Sequence, residues 1–356
     1  MFLLSSWLLN QSVQSQGCIP IRNIAGFGQY NLLDNAFSTS DWQLSINTRY
    51  FKSFRDFKEK VDQKTPKQNE AVVKSFSTDF SISRFLSNGW SLNFSLPIAS
   101  NSREASAEHG GTNTTRHTTH SFGVGDIRLT AYKWLLKPTV KQKINIQLGL
   151  GIKLPTGDYK YQDYFYRNDS VKILSAVNPS IQLGDGGTGI ITELNLFYIL
   201  NAARTISLYG NFYYMLNPRE QNGTAITSGR IPPRIDSLAN NIIMSVADQF
   251  SIRAGVNFSL KNWAFSAGIR DEGSPVEDLI GGSEGVRRAG YNLSVEPGIL
   301  YKIKKTTLYV YVPFIIDRKI SQNLPDKFKS KVLAINFVSP GGSGNYQVFV
   351  GALFKL

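Results

Sequence analysis

The chain of 356 residues has a single cysteine, Cys18, which excludes an intramolecular disulfide and any cysteine-based metal site. Histidine is almost as scarce, and His109, His117 and His120 confine imidazole chemistry to one stretch. No apolar run approaches the ~20 residues of a membrane-crossing helix; residues 1–9 (MFLLSSWLL) are too few. Beyond them, no segment spaces its apolar side chains as an amphipathic helix would. Proline (14) and glycine (30) are too infrequent for a disordered chain. Acids are in deficit, with Asp and Glu totalling 26 against 39 Lys and Arg, for a net charge of +13. That excess would suit nucleic acid if it were gathered on one face. Instead the signs interleave, as in Arg55-Asp56-Phe57-Lys58-Glu59-Lys60, and no recognition helix or RNA-binding signature accompanies them. Nucleic acid is not an expected partner.

What is present is aromatic and alternating. Phe (22) and Tyr (16) dominate an aromatic share of 12%, a composition suited to strands. Trp42, Leu44, Ile46, Thr48 and Tyr50 alternate with Gln43, Ser45, Asn47 and Arg49, so a strand would put one set on each face. The rhythm returns at 72–85, with Phe76, Thr78, Phe80 and Ile82 together, and from Trp90 through Leu92, Phe94, Leu96 and Ile98. It continues at 122–136 and at 144–154, where isoleucines and leucines alternate with Asn145, Gln147, Gly149, Gly151 and Lys153. Further strands are expected up to Leu200, then at 205–216, 250–260, 263–270, 291–302, 306–316 and 346–356. That makes about twelve, each near the ~9–11 residues of a tilted membrane crossing.

The connections alternate in length. Long polar segments (51–70, to about His120, 159–172, one carrying Pro232-Pro233, 271–288, to about Gly344) take turns with short ones. The short ones are Asn88-Gly89, Lys137-Pro138, Asn201-Ala202-Ala203-Arg204, Lys261-Asn262 and Lys304-Lys305. A soluble sheet has no reason to keep that order, whereas a barrel threaded through an outer membrane does. The sequence therefore predicts an all-β fold: a transmembrane antiparallel β-barrel of about twelve strands over 41–356, with short periplasmic turns and long extracellular loops. It must close, because hydrocarbon cannot satisfy an open sheet edge. Tyr50, Phe51, Trp90, Trp134, Tyr198, Tyr213, Tyr214, Trp263, Tyr301 and Phe314, near strand ends, are expected to form girdles at the two interfaces.

Residues 1–17 read as a signal peptide lacking its positive start. Ser15 and Gly17 are the small residues a signal peptidase needs, leaving Cys18 first in the mature chain. Lipidation of Cys18 is the alternative, against which Ser15-Gln16 matches a lipobox poorly. Residues 18–40 show no period and are expected to lie in the periplasm or plug the barrel. At the other end Gly351, Phe354 and Leu356, expected on one face, are similar to the C-terminal signal read by the barrel assembly machinery.

Two stretches carry a family resemblance. Phe122-Gly-Val-Gly-Asp126 contains Gly123, Gly125 and Asp126; Lys153-Leu154-Pro155-Thr156-Gly157-Asp158 follows on the next strand. The pattern resembles the outer-membrane family named after the meta-pathway of phenol degradation (MetA-type), and Leu183-Gly-Asp-Gly-Gly-Thr-Gly189 is similar to the glycine-rich start of that family's next strand. The resemblance implies a barrel passing small, often aromatic or hydrophobic, compounds, and no catalytic residues. It covers residues 123–214 well and the rest by architecture. The start Cys18-Ile-Pro-Ile-Arg-Asn also resembles secreted barrels of Bacteroidetes-type bacteria.

Turning the polar parity of each strand inward places Arg49, Asp79, Arg128, Lys153, Glu193, Arg253, Arg270 and Glu296 in the lumen. Buried charges of mixed sign need partners, and a salt-bridged interior can be a constricted pore or a filled core, since eight strands fill and about sixteen leave a channel. Glycines 149, 151, 255, 268, 298 and 351 mark bulges, bends or close approach. A phosphate cradle at 184–189 would need a helix after it, and a strand follows.

Three functions are consistent with these residues: a passive outer-membrane channel for small solutes, hydrophobic or aromatic ones included; a structural or surface-binding barrel; and a hydrolase drawing on His109, His117 or His120 with Ser102, Ser106 and Glu108, where His117-x-x-His120 with Glu108 could also hold a metal. Polar loop residues are the simpler explanation of the last. The leading expectation is the channel, not an enzyme, with no metal and no cofactor, in the outer membrane of a Gram-negative bacterium. Its expected partners are outer-membrane lipid and lipopolysaccharide, met by the basic loops, the barrel assembly machinery and a small solute.

Overall fold

The computed structural model describes residues 16–17, 41–64, 70–106, 108–109, 116–136, 142–168 and 170–356. Residues 1–15 of the expected signal peptide, Cys18, the expected plug or periplasmic segment 18–40 and the expected turn at Lys137-Pro138 lie outside them. Gln16–Gly17 pairs in parallel with Gly341–Gly342.

Among the described residues twelve antiparallel strands form one closed ring. They are β1 (Trp42–Ser53), β2 (Val72–Phe85), β3 (Trp90–Ala105), β4 (His117–Val124 and Arg128–Trp134), β5 (Ile144–Lys153) and β6 (Gly189–Ile199). The second half comprises β7 (Ile206–Leu216), β8 (Gln249–Leu260), β9 (Trp263–Ser274), β10 (Gly290–Ile303), β11 (Thr306–Tyr311 and Phe314–Ile320) and β12 (Gln347–Lys355). Each pairs with its sequence neighbours, and β12 closes on β1 through Leu44↔Phe354 and Asn47↔Gly351. No helix among the described residues is long and apolar enough to cross a membrane. Crossing falls to the strands, whose backbone groups are paired around the ring as hydrocarbon demands.

Alternation along each strand separates the faces. On β1, Gln43, Ser45, Asn47 and Arg49 are buried inside, and Trp42 on the outer face is exposed. Leu148, Leu150 and Ile152 present the apolar outside of β5. This is the inverse of a soluble protein, and it satisfies lipid outside and polar contacts within. The turns fit their residues: Asn88 and Gly89 both take positive φ (58° and 75°), as a tight hairpin needs.

Several boundaries differ from the sequence reading. Strand β4 begins at His117, and β9 runs on to Ser274, which brings Glu272 onto its inner face. A bulge interrupts β4: Gly125, Asp126 and Ile127 stand opposite only Leu96 and Pro97, because Ile98 pairs with Val124 and Ser95 with Arg128. The inward parity shifts by one there, so Trp134 points inside, 8% exposed. Phe51 and Tyr213, on inward parity, are each 2% exposed. These three therefore do not belong to an interfacial girdle, whereas Trp90, Tyr198, Trp263 and Phe314 are exposed on the outer face. Gly351 likewise faces inward, opposite in parity to Phe354 and Leu356, since one strand cannot put odd and even positions on one face.

The inward glycines have a common cause. Tyr132 pairs across the strands with Gly149, Tyr209 with Gly255, Tyr311 with Gly298 and Tyr309 with Gly351. A methyl group on the glycine would collide with the tyrosine ring at Gly149, Gly298 and Gly351, and with the Tyr209 hydroxyl at Gly255.

The long loops gather at one rim and fold over it, with a short helix α1 (Arg234–Leu238), a longer helix α2 (Leu324–Leu333) and a hairpin of Gln162–Tyr166 with Lys172–Ala176. The opposite rim consists of short turns and strand ends. Among the described residues it carries Arg84, Lys133, Lys143, Arg204, Lys261, Lys302, Lys304, Lys305 and Lys355 against a single acidic side chain, Asp41. The positive excess is thus concentrated at the turns, while the loops mix both signs.

Candidate functional site in the lumen

The bulge of β4 organises the upper lumen. Its Asp126 turns inward, and its carboxylate accepts from the Gly157 amide (2.9 Å) and the Asp185 amide (3.2 Å). Thr156 fastens the same place, its hydroxyl donating to the Gly125 carbonyl (3.0 Å) and accepting from the Ile127 amide (2.9 Å). Lys153 pairs with Asp185 and stands 3.7 Å from Asp126. A Cβ on Gly157 would meet the backbone of Leu183 and Gly184, and one on Gly184 would meet Asp126. The three motifs noted in the sequence, separated by some thirty residues each along the chain, thus meet in one knot.

The knot draws the loop between β5 and β6 into the barrel. Val177, Ile181 and Gln182 are 0% exposed. Proline at the start of the turn Pro179–Ile181 fixes its φ, and Asn178 caps it by accepting from the Ser180 amide (3.1 Å). The Ile181 carbonyl accepts hydrogen bonds from Ser121 and from Asn101, inner-face residues of β4 and β3. Above it, Glu108 is held between Arg103 (2.8 Å) and Asn178 (2.9 Å). The inserted segment borders, through Pro179, Gly184 and Asp185, a cavity of about 60 Å³ that Asp126, Arg128, Lys153, Met215 and Met244 also line.

All eight charged residues assigned inward by parity lie on the inner wall, six of them in two groups. Asp79 accepts both of its hydrogen bonds from Arg128 at 2.9 Å, and Glu193 lies beside Tyr132 over Gly149. Across the barrel, Arg253 binds Glu296 at 2.5 Å, Glu296 stands 3.5 Å from Arg270, and Arg270 binds Glu272 at 2.7 Å. Arg253 also packs between the rings of Tyr209 and Tyr311 (5.8 and 5.7 Å), and Arg270 over Phe349 (5.2 Å). Such pairing is what removal from water requires. Arg49 is buried on β1 and Lys153 in the knot. Sequence reasoning missed Glu272, because it ended β9 at Arg270, although the period of two carried one step further predicts it.

The histidines separate. His117 and His120 sit three apart on a strand and so on opposite faces, which rules out joint metal ligation. Among the described residues no cluster of His, Cys, Asp or Glu could hold a metal ion. His109 accepts from the Tyr166 amide (3.1 Å) and stacks on Phe165, and burial pushes its pKa down to about 4, with the charges of His117, Arg230 and Arg167 adding to the effect. His120 faces outward beside Asp163 (3.8 Å), and Ser102 is its cross-strand partner on β3.

No family model matches the sequence, and no curated protein matches it. The fold has relatives among solved structures. An outer membrane channel from Pseudomonas putida F1 aligns with a TM-score of 0.59 at 11% identity, covering 92% of this chain and 98% of that one. At that identity the likeness is one of fold: this is an outer-membrane type of barrel, as the closed ring and apolar exterior independently require. The translocator domain of the autotransporter NalP from Neisseria meningitidis (TM-score 0.47, 10% identity, 90% of each chain) and the toluene transporter TbuX of Ralstonia pickettii (0.41, 9%, 91% and 93%) share less of the geometry.

Proposed function

We propose that this chain is a constricted channel of a Gram-negative outer membrane, passing small solutes between the cell surface and the periplasm. The observation that carries the reading is the inserted segment 178–185 bordering a cavity that is lined by charged residues and by Met215 and Met244. A barrel serving only as a scaffold needs no chamber. Long loops at one rim and short turns at the other fit loops outside and turns in the periplasm. Along the path Asp79 offsets Arg128, Glu296 and Glu272 offset Arg253 and Arg270, and Asp185 offsets Lys153, which favours compounds without strong net charge, and the methionines bordering the cavity suit apolar or aromatic bodies. The Gly-x-Gly-Asp and Lys-Leu-Pro-Thr-Gly-Asp motifs support membership of the phenol-degradation family, whose signature they would supply as the knot that holds the constriction.

The test is single-channel recording in a planar bilayer. The full barrel should give small currents, and a chain with 178–185 replaced by a short glycine–serine link should give currents several times larger. Silence from both would refute a channel. Ser102, His120 and Asp163 on the outer face support a second reading, a lipid hydrolase. It predicts that His120→Ala abolishes an ester-cleaving activity of the purified barrel, and absence of that activity from the unaltered protein dismisses it.

A further inference from the structure

We propose that the corner of the barrel formed by the Lys261-Asn262 turn, the Lys304-Lys305 turn and the end of β12 binds the anionic headgroup of a phospholipid in the leaflet that the short turns face. The two turns and the last strand are adjacent: the Lys302 amide donates to the Asn262 carbonyl (2.8 Å) and the Lys355 amide to the Lys305 carbonyl (2.9 Å). Lys261, Lys304 and Lys305 are exposed there, and no carboxylate among the described residues comes within ion-pair distance of them. Gathering like charges without a counter-ion costs energy that a bound anion removes.

The wall below the corner indicates which anion. Trp263 and Tyr301 pair across β9 and β10 on the lipid-facing surface, their rings 4.3 Å apart. Outward aromatics mark the level of the headgroups, so the lysines stand where lipid phosphates lie. The arrangement repeats along the rim, where Arg84 covers Trp42 at 5.0 Å and Lys133 covers Trp90 at 5.1 Å. At the loop rim the outward cations Lys52 and Lys74, cross-strand partners on β1 and β2, meet Phe54, Tyr50 and Phe76 in place of a tryptophan, with Lys52 at 5.4 Å from the Phe54 ring. A lipid with a net negative headgroup, such as phosphatidylglycerol, matches both parts of the corner; a soluble acidic partner would use the lysines and leave the aromatic pair idle.

The inference rests on the membrane reading, and one experiment separates the two. The full chain is refolded into vesicles, and its tryptophan fluorescence is quenched by brominated phosphatidylcholine or brominated phosphatidylglycerol. Quenching by the first reports that the barrel sits in a bilayer at all. The proposal expects the second to be preferred by about five-fold, the effect of one exposed cation near an anionic surface, and the preference to fade in high salt. It should largely disappear in Lys261→Asn/Lys304→Asn/Lys305→Gln, where asparagine suits the positive φ of 54° and 52° at the first two positions. It should persist in Lys52→Gln/Lys74→Gln. Equal quenching by the two lipids, an unchanged preference in the triple variant, or salt-sensitive binding of soluble polyglutamate in place of a lipid preference would each overturn it.

Discussion

At the long-loop end of the barrel, buried charges are paired: Arg103 with Glu108, Arg287 with Asp278 at 2.6 Å, Lys329 with Asp236. At the short-turn end, Lys261, Lys304 and Lys305 stand exposed, and the cations Arg84 and Lys133 lie over tryptophan rings. The difference follows from what surrounds each end. Loops that fold into a lumen leave water behind, and each charge must find its partner within the chain. Turns that project past a bilayer keep their water and can leave neutralisation to ions or headgroups. The same side chains are therefore structural at one end and available for contact at the other.

Substitutions should expose that contrast. The largest effect is expected at Glu296, which is 0% exposed between Arg253 and Arg270. Glu296→Ala takes the carboxylate from the buried Arg253 guanidinium and leaves Arg270 with Glu272 alone, which should cost about 3–5 kcal/mol, read as a lower unfolding midpoint in detergent; an unchanged midpoint would show that the inner network is not structural. Next is Asp126→Ala, which releases the Gly157 and Asp185 amides and loosens Lys153. The inserted segment should then retreat and single-channel current rise several-fold, whereas an unaltered current would mean the segment is held elsewhere. Gly351→Ala should cost about 1–3 kcal/mol by forcing a methyl against the Tyr309 ring, and a paired Tyr309→Leu should recover part of the loss.

A smaller effect concerns pH. Unfolded His109 would take up a proton as pH falls through about 6.5, but the folded imidazole resists until about pH 4. Opening the loop therefore binds a proton in that window, and its stability declines as pH drops from 7 to 5. Proteolysis of the 162–176 hairpin should be faster at pH 5 than at pH 7, with the difference gone in His109→Phe. The smallest effect is at the turns: Lys305→Gln should move the unfolding midpoint by no more than about 0.5 kcal/mol equivalent. A loss comparable to that of Glu296→Ala would erase the distinction between the two ends.

The strands were legible because a membrane wall imposes a period of two on every crossing, and Leu148 to Lys153 display it without interruption. The bulge at Gly125–Ile127 was not, since a one-residue insertion leaves no mark in composition and shows itself only through register against Pro97. It misdirected Trp134. Phe51 and Tyr213 were misassigned for another reason: their size suggested an interface although their parity pointed inward, and volume inside the wall is what they supply. The inward charges could be found from parity, but not their partners, because Arg253 and Glu296 lie 43 positions apart and meet only once β8, β9 and β10 are aligned. The knot was visible as three motifs whose common location sequence spacing does not disclose.

The tyrosines laid across glycines bear on how such a wall is assembled. Tyr309 on β11 rests over Gly351 on β12, whose next neighbour is the first strand of the chain. Sliding β12 by one position would set Val350 or Ala352 beneath the ring, and would also turn every greasy side chain of that strand inside out. Each ring thus acts as a key cut for a single notch, and the notch on the final strand sits beside the seam where the cylinder is sealed. A misaligned closure would be rejected by bulk before any side chain reached its ionic partner.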